Sequence, residues 1–294
     1  MALDFKRIEL SEQRAYRQYL SVCPQITSDY SFINLWSWAS VYCLEWAWTD
    51  DLVWLRQHRP SDILWAPVGD WQEIDWPKYF ELYPQLKSQI VRVPEQLACL
   101  WESDFGNPVT VIEDRDQFDY IYNAEELITL KGNRFHKKKN LINQFKKKYE
   151  YQYVEMTPQM VEKTGAFQDA WCTWRECDSD VQLANENQAI SNVLSQWEAL
   201  SGVVGGSIMV DNQMIAYTIG ELLISDTLVI HFEKGSTEYK GVYQAVNQIF
   251  LDHQPSHIKW VNREQDLGDA GLRQSKLSYQ PDRFLKKYRV VLKK

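Results

Sequence analysis

No run of about 18 apolar residues occurs in the 294-residue chain, so no membrane-crossing helix and no integral membrane contact are expected. The opening residues, MALDFKRIEL, lack the apolar stretch of a secretory leader. Proline (10) and glycine (12) are too sparse, and apolar residues too frequent at 45%, for a disordered chain. Cysteine is scarce as well. Cys23, Cys43, Cys99, Cys172 and Cys177 make an odd, dispersed set without CxxC spacing, which favours neither a disulfide framework nor a zinc site. The expectation is a cytoplasmic protein, long enough for two domains.

The net charge of −8 is unevenly spread. Residues 131–148 carry eight Lys/Arg and no acid, and residues 282–294 carry six against one. Such clusters raise a local positive field that attracts phosphate or nucleic acid, even on an acidic protein. A solvated helix face and a basic tail would have the same composition.

Hydrophobic periodicity orders the C-terminal half. Residues 151–156 alternate as a strand. Met160, Thr164, Phe167, Trp171 and Trp174 mark an amphipathic helix, and Ile190, Val193, Leu194, Trp197 and Leu200 a second, ended by Gly202. Residues 207–210, 214–223 and 228–233, parted by turns at 211–212 and 225–226, read as an antiparallel meander. A helix around 242–250, a strand at 257–262, a helix at 272–279 and a strand at 284–292 follow. The strand–helix–strand passage predicts one parallel pair, 228–233 beside 259–262, in an otherwise antiparallel sheet. This order is similar to the acyltransferase fold of the GNAT superfamily.

The N-terminal half repeats it more faintly. Strands are expected at 5–10, 44–48, 52–57, 62–66, 91–93, 109–113 and 120–122, with helices at 12–22, 32–39, 76–87 and 95–102. Eight of the 13 tryptophans precede residue 77 and suit the core of a sheet domain. The fold class is α+β: two GNAT-like domains, 1–128 and 129–294, each a mixed sheet flanked by helices.

Three stretches hold chemistry. In HFEKG (231–235), His231 and Glu233 share one strand face, a titratable pair suited to acid–base work, and Gly235 and Gly241 free the following loop. Tyr243 and Asn247 lie one helical turn apart just beyond. Asn262, Arg263, Glu264 and Asp266, then Arg273, Lys276 and Tyr279, crowd the segment after the next strand. If those strands are parallel, both stretches meet at their carboxyl ends, where ligands collect in open α/β sheets. In LKGNRFHKKKN (130–140), Phe135, Ile142, Phe145 and Tyr149 form a helical stripe whose continuation falls on Lys138 and Lys139. Lysines on an inward face are costly unless they meet a wet cleft or an anion.

LKGNRFHKKKNLINQFKKKY (130–149), HFEKG with YKGVYQAVNQIF (231–250), VNREQDLGDAGLRQSKLSYQP (261–281) and SFINLWSW (31–38) together resemble the bacterial tandem GNAT-like family related to the C-terminal domain of phosphatidylglycerol lysyltransferase. The resemblance spans nearly the whole chain and extends distantly to Fem-type peptidyltransferases. It implies transfer of an aminoacyl group from charged tRNA. Leu272, Arg273, Lys276, Tyr279 and Pro281 match its pattern, which implies that Arg273 and Lys276 hold the donor's phosphate or acyl-ester end. The acetyl-CoA signature Q/R-x-x-G-x-G/A is absent, since residues 238–243 keep one glycine.

The expected reaction is acyl transfer to an amine or hydroxyl, with Glu233 or His231 as general base, a backbone N–H of 228–233 at the oxyanion, and no metal or tightly bound cofactor. Lys276 completes the catalytic set. Arg273, Gly241, Tyr243, Asn247, Asn262, Arg263, Glu264, Asp266 and Tyr279 are donor-binding candidates. Lys131, Arg134, His136, Lys138 and Lys139 would grip phosphates, of a tRNA acceptor arm above all. The acceptor is a small molecule, peptide or lipid. A CoA-dependent N-acyltransferase and a non-catalytic RNA- or anion-binding module are the alternatives.

Overall fold

The computed structural model describes residues 2–105 and 109–292. Lys293 and Lys294, which end the C-terminal basic stretch, lie outside the described residues, as does Met1. The strands are β1 (Lys6–Arg7), β2 (Leu44–Trp48), β3 (Leu52–Gln57), β4 (Ile63–Gly69), β5 (Gln89–Pro94), β6 (Val109–Glu113), β7 (Asp119–Asn123), β8 (Tyr151–Glu155), β9 (Val203–Val210), β10 (Gln213–Ile224), β11 (Thr227–Gly235), β12 (Trp260–Asn262), β13 (Arg283–Leu285) and β14 (Lys287–Leu292). The helices are α1 (Gln13–Ser21), α2 (Phe32–Tyr42), α3 (Trp76–Leu82), α4 (Glu95–Phe105), α5 (Ala124–Thr129), α6 (His136–Lys148), α7 (Pro158–Arg175), α8 (Val181–Ser195), α9 (Val242–Asp252) and α10 (Ala270–Leu277). No helix among the described residues is long and apolar enough to cross a membrane.

The chain forms two compact units, each built on a mixed sheet flanked by helices. The first comprises residues 1–119, 265–270 and 284–294, the second residues 120–264 and 271–283. Contiguous halves meeting at 128 were expected, and the difference has a topological cause. β14 inserts between β5 and β6, antiparallel to both, so the C-terminal strand completes the first sheet. β7 in turn joins the second sheet, antiparallel to β12.

In the first unit the order is β1-β2-β3-β4-β5-β14-β6, with β4 and β5 parallel. Its core is aromatic, as the tryptophan clustering implied: Tyr16, Phe32, Trp46, Trp54, Trp76, Phe80 and Trp101 are fully buried. Tyr16 stacks on Trp46 at 5.5 Å, and Trp76 meets Trp101 edge-on at 5.2 Å. Each such ring buried contributes about 1.5–3 kcal/mol over leaving it in water. Beside this core lies a buried ionic cluster. Lys287 pairs with Asp29 and, at 2.6 Å, with Asp119, while Arg92 also pairs with Asp29.

In the second unit the order is β13-β7-β12-β11-β10-β9-β8. The expected meander is β9–β10–β11, antiparallel throughout. Asp211 and Asn212 both adopt positive φ in its first turn (50° and 63°), the backbone that a tight hairpin between right-twisted strands requires. The expected parallel pair is β11–β12, joined in register at Thr227↔Trp260, Leu228↔Val261 and Val229↔Asn262. α9 carries the crossover and packs Val242, Ala245, Val246 and Ile249 against Phe145 of α6 and the sheet. The segment expected as one strand over 284–292 is broken into β13 and β14, which belong to different sheets.

Cys172 and Cys177 form a disulfide, with Cα atoms 5.0 Å apart, a single pair in a set whose spacing did not favour a disulfide framework. Glu176 ends α7 in the left-handed conformation (φ 54°), turning Cys177 back against the last helical turn. A spacing of five carries no recognisable redox or metal signature.

Candidate active site

The pairing of β11 with β12 stops at Val229↔Asn262, and beyond that point side chains take over from backbone hydrogen bonds. His231 Nδ1 lies 2.8 Å from Glu264 Oε1, and an Arg263 guanidinium nitrogen (Nη2) donates to Glu233 Oε1 at 3.2 Å. Residues 231–233 and 263–264 therefore meet where the two strands part, as the parallel arrangement required.

Glu233 is held from two sides. Asn247, fully buried on α9, donates through Nδ2 to Glu233 Oε2 at 3.0 Å, opposite the Arg263 contact on Oε1. Two hydrogen bonds leave about half of a carboxylate's roughly four acceptor positions free. Arg263 also lies 5.0 Å from the Tyr279 ring centroid, and that ring carries the Lys138 ammonium at 4.2 Å. Burial pushes the Tyr279 phenol up to about 12. Burial and the neighbouring Arg263 charge push the Lys138 amine down.

His231 departs from the role of a free base. It is the extra residue of a bulge, since Phe232 faces Ile219 while Ile230 faces Gly220. Gly220 is required there, because a Cβ would fall 2.4 Å from the Val229 carbonyl oxygen. Both ring nitrogens are engaged: Nδ1 by Glu264, and Nε2 by Glu221 at 3.4 Å. Burial disfavours the charged ring, yet the two carboxylates outweigh it and hold the imidazole at about 9. His231 is thus an imidazolium near neutral pH, donating from both nitrogens. Further along β11, Lys234 pairs with Glu186 at 2.6 Å and covers the Trp171 ring at 4.4 Å.

Lys276 does join this region, but as a strut. Its buried ammonium donates to the Arg263 carbonyl at 2.6 Å, and its own carbonyl accepts from the Tyr122 hydroxyl at 2.8 Å. Asn262 Oδ1 accepts the Glu264 backbone N–H at 2.8 Å and so fixes the turn in which Glu264 takes φ 56°. Tyr243 is half-buried at the start of α9, with its phenol raised by burial, and Arg273 is half-buried on α10.

Other expected members lie apart from this cluster. Asp266 belongs to the first unit, where it accepts from Arg115 at 3.1 Å and from the Gly268 N–H at 3.0 Å, folding its own loop. Gly241 serves packing: at φ 88° it starts α9 so close to α6 that a Cβ would sit 2.5 Å from the Leu141 carbonyl oxygen. Of the two lysines expected to face inward, only Lys138 does so, because neighbours on a helix diverge by about 100° and Lys139 is exposed. His136 is exposed too, Lys131 lies 3.9 Å from Glu125, and Arg134 pairs with Glu126. Among the described residues no group of three or more His, Cys, Asp or Glu is placed to hold a metal ion.

Two participants escaped the sequence reading. Glu221 is the single charge in the apolar run MIAYTIGELL, and a lone carboxylate in a buried strand is itself a signal of a polar partner. Tyr122 comes from β7, whose place in this sheet no local pattern reveals.

The solved structures include a conserved protein of unknown function from Bacteroides thetaiotaomicron, 32% identical, with a TM-score of 0.90 over 99% of this chain and 100% of that one. The structure of L-PGS from Bacillus licheniformis is 10% identical, with a TM-score of 0.65 over 95% of this chain and 91% of that one, a likeness of fold. An uncharacterized protein of Mycoplasmoides gallisepticum is 25% identical over 181 residues, 58% of this chain; the chain spans 55% of the length of that curated relative. The two mixed sheets flanked by helices give the α+β, tandem GNAT-like fold that the element order predicted. A family model described as phosphatidylglycerol lysyltransferase, C-terminal, matches residues 21–291, and the chain belongs to that family.

Proposed function

We propose that the second unit transfers an aminoacyl group from charged tRNA to an amine or hydroxyl acceptor, with Glu233 as general base. The observation that carries this reading is the doubly held, partly free Glu233 carboxylate at the point where β11 and β12 part. The acceptor nitrogen or oxygen attacks the ester carbonyl, and its proton passes to Glu233. The tetrahedral intermediate then collapses, the bond to the ribose oxygen breaks, and the proton leaves with that oxygen. A backbone N–H of β11 near the bulge would steady the oxyanion. His231, charged and locked between Glu221 and Glu264, holds the bulge and the following turn in place rather than accepting the proton. Asn247 and Arg263 orient the base.

The exposed cations of residues 131–148 would meet RNA phosphates, an interaction weakened by salt. The family description supports an aminoacyl donor, and the chain keeps one glycine where acetyl-CoA enzymes carry a glycine-rich signature. The donor would arrive from solution, with no resident cofactor.

The test is transfer of radiolabelled amino acid from bacterial aminoacyl-tRNA to a panel of phosphatidylglycerol vesicles, short peptides and hydroxylamine. The wild-type protein should release label from tRNA into product, and Glu233→Gln should lower the rate about 10²–10⁴-fold with unchanged circular dichroism. Equal rates in the two proteins would refute Glu233 as base. Consumption of acetyl-CoA without turnover of aminoacyl-tRNA would refute the donor.

A further inference from the structure

We propose that Arg263 and Lys138 form a subsite for one small oxyanion, a phosphate or carboxylate group carried by the substrate beside its reacting carbonyl. The subsite rests on charge accounting within the second unit. Glu233 balances the Arg263 charge, contacting it on one guanidinium nitrogen (Nη2) at 3.2 Å. The other terminal nitrogen, Nη1, is buried and meets no acceptor. A buried donor without an acceptor forfeits the hydrogen bond that it would make with water, which is costly enough to be rare.

Lys138 supplies the second half. Its ammonium lies 4.2 Å from the Tyr279 ring centroid, and Arg263 Cζ lies 5.0 Å from the same centroid, so two cations crowd one ring. Among the described residues no carboxylate stands within ion-pair distance of Lys138. Its amine is depressed first by burial and further by the Arg263 charge. Water could fill the empty hydrogen-bonding position but could not neutralise the surplus charge. A single anionic group would do both, accepting from Nη1 and pairing with the ammonium. Because Glu233 touches the same guanidinium, that group would sit next to the proposed base. The inference deepens the transfer reading by giving it a substrate handle.

The experiment is thermal unfolding of the full chain in sodium phosphate, sodium acetate and sodium chloride at matched ionic strength. Lys138→Met, Lys138→Arg and, on α7, the exposed Lys163→Met are compared with wild type. Phosphate or acetate should raise the wild-type and Lys163→Met melting temperatures above the chloride value. The anion affinity read from that shift should fall about tenfold or more in Lys138→Met and survive in Lys138→Arg. Without added anion, Lys138→Met should melt no lower than wild type, since the substitution removes a repulsion. A response to phosphate alone assigns a phosphoryl group, and a response to acetate alone a carboxylate. No rise in wild type with either anion, or equal rises in wild type and Lys138→Met, would overturn the subsite. An anion response of the expected pattern in a protein that transfers nothing would refute the reaction and leave the subsite standing.

Discussion

His231 offers a direct measure of the electrostatics at the diverging strands. Its imidazole, about 1% exposed as a side chain, is held at about 9 against an ordinary value of 6.5, because Glu221 and Glu264 outweigh the cost of burial. A folded-state value above the unfolded one means that the protein binds a proton that the unfolded chain has lost. The resulting stability is complete below about pH 6.5 and disappears as pH rises through about 9, with a slope near 1.4 kcal/mol per pH unit between them. Integrated over that window, His231 contributes about 3 kcal/mol. The chain has five histidines, so nuclear magnetic resonance of histidine-labelled protein can follow each ring separately. One resonance should titrate near pH 9, and Glu264→Gln, which removes the carboxylate 2.8 Å from Nδ1, should move its midpoint downward. Midpoints at or below about 7 for every ring would refute the reasoning, since an imidazole between two carboxylates would then be no better protonated than one in water.

Two further substitutions test the packing of each unit. Lys287→Met removes the buried ammonium that Asp29 and Asp119 share, and should cost about 3–5 kcal/mol in denaturant unfolding followed by tryptophan fluorescence; a loss under about 1 kcal/mol would show that the cluster adapts. Gly241→Ala combines a φ of 88° with a Cβ only 2.5 Å from the Leu141 carbonyl oxygen, and should lower stability by about 1–3 kcal/mol in a thermal melt. An unchanged melting temperature would mean that α9 and α6 separate freely.

Much of the fold was legible because its signals are local. β2 and β3 lie at the expected residues, and β8 to β11 fall within a few residues of expectation, since period-two alternation and the Asp211–Asn212 turn act over short distances. α8 begins at Val181, well before the apolar stripe at Ile190, because its first turns are exposed or only half-buried and Val181 itself is 75% accessible. The local cue was the cap: Asp180 Oδ1 accepts from the Gln182 and Leu183 backbone N–H groups. The allocation of the last strand had no local cue. Val290 pairs with Ile90 and Val111, and no pattern within 284–292 distinguishes that sheet from the other.

The candidate site was legible as a set of positions, and much less as a set of roles. Simple alternation along β11 predicts His231 and Glu233 on one face; the bulge at His231 breaks that alternation, and the parallel crossover brings Glu264 to His231 and Arg263 to Glu233. Spacing says which face a side chain takes, but its protonation depends on partners from other strands. Glu221 arrives from β10 because the bulge at His231 shifts the register by one, and Gly220 permits that geometry, since a Cβ there would meet the Val229 carbonyl. The same displacement separates the fates of two residues only two positions apart. His231 acquires two carboxylates and is locked in its charged form, whereas Glu233 acquires one amide and one guanidinium and keeps acceptor positions open. In the proposed reaction, proton acceptance therefore passes to the carboxylate. The imidazole, which a strand pattern alone makes the more attractive base at neutral pH, becomes part of the scaffold that holds the bulge in place.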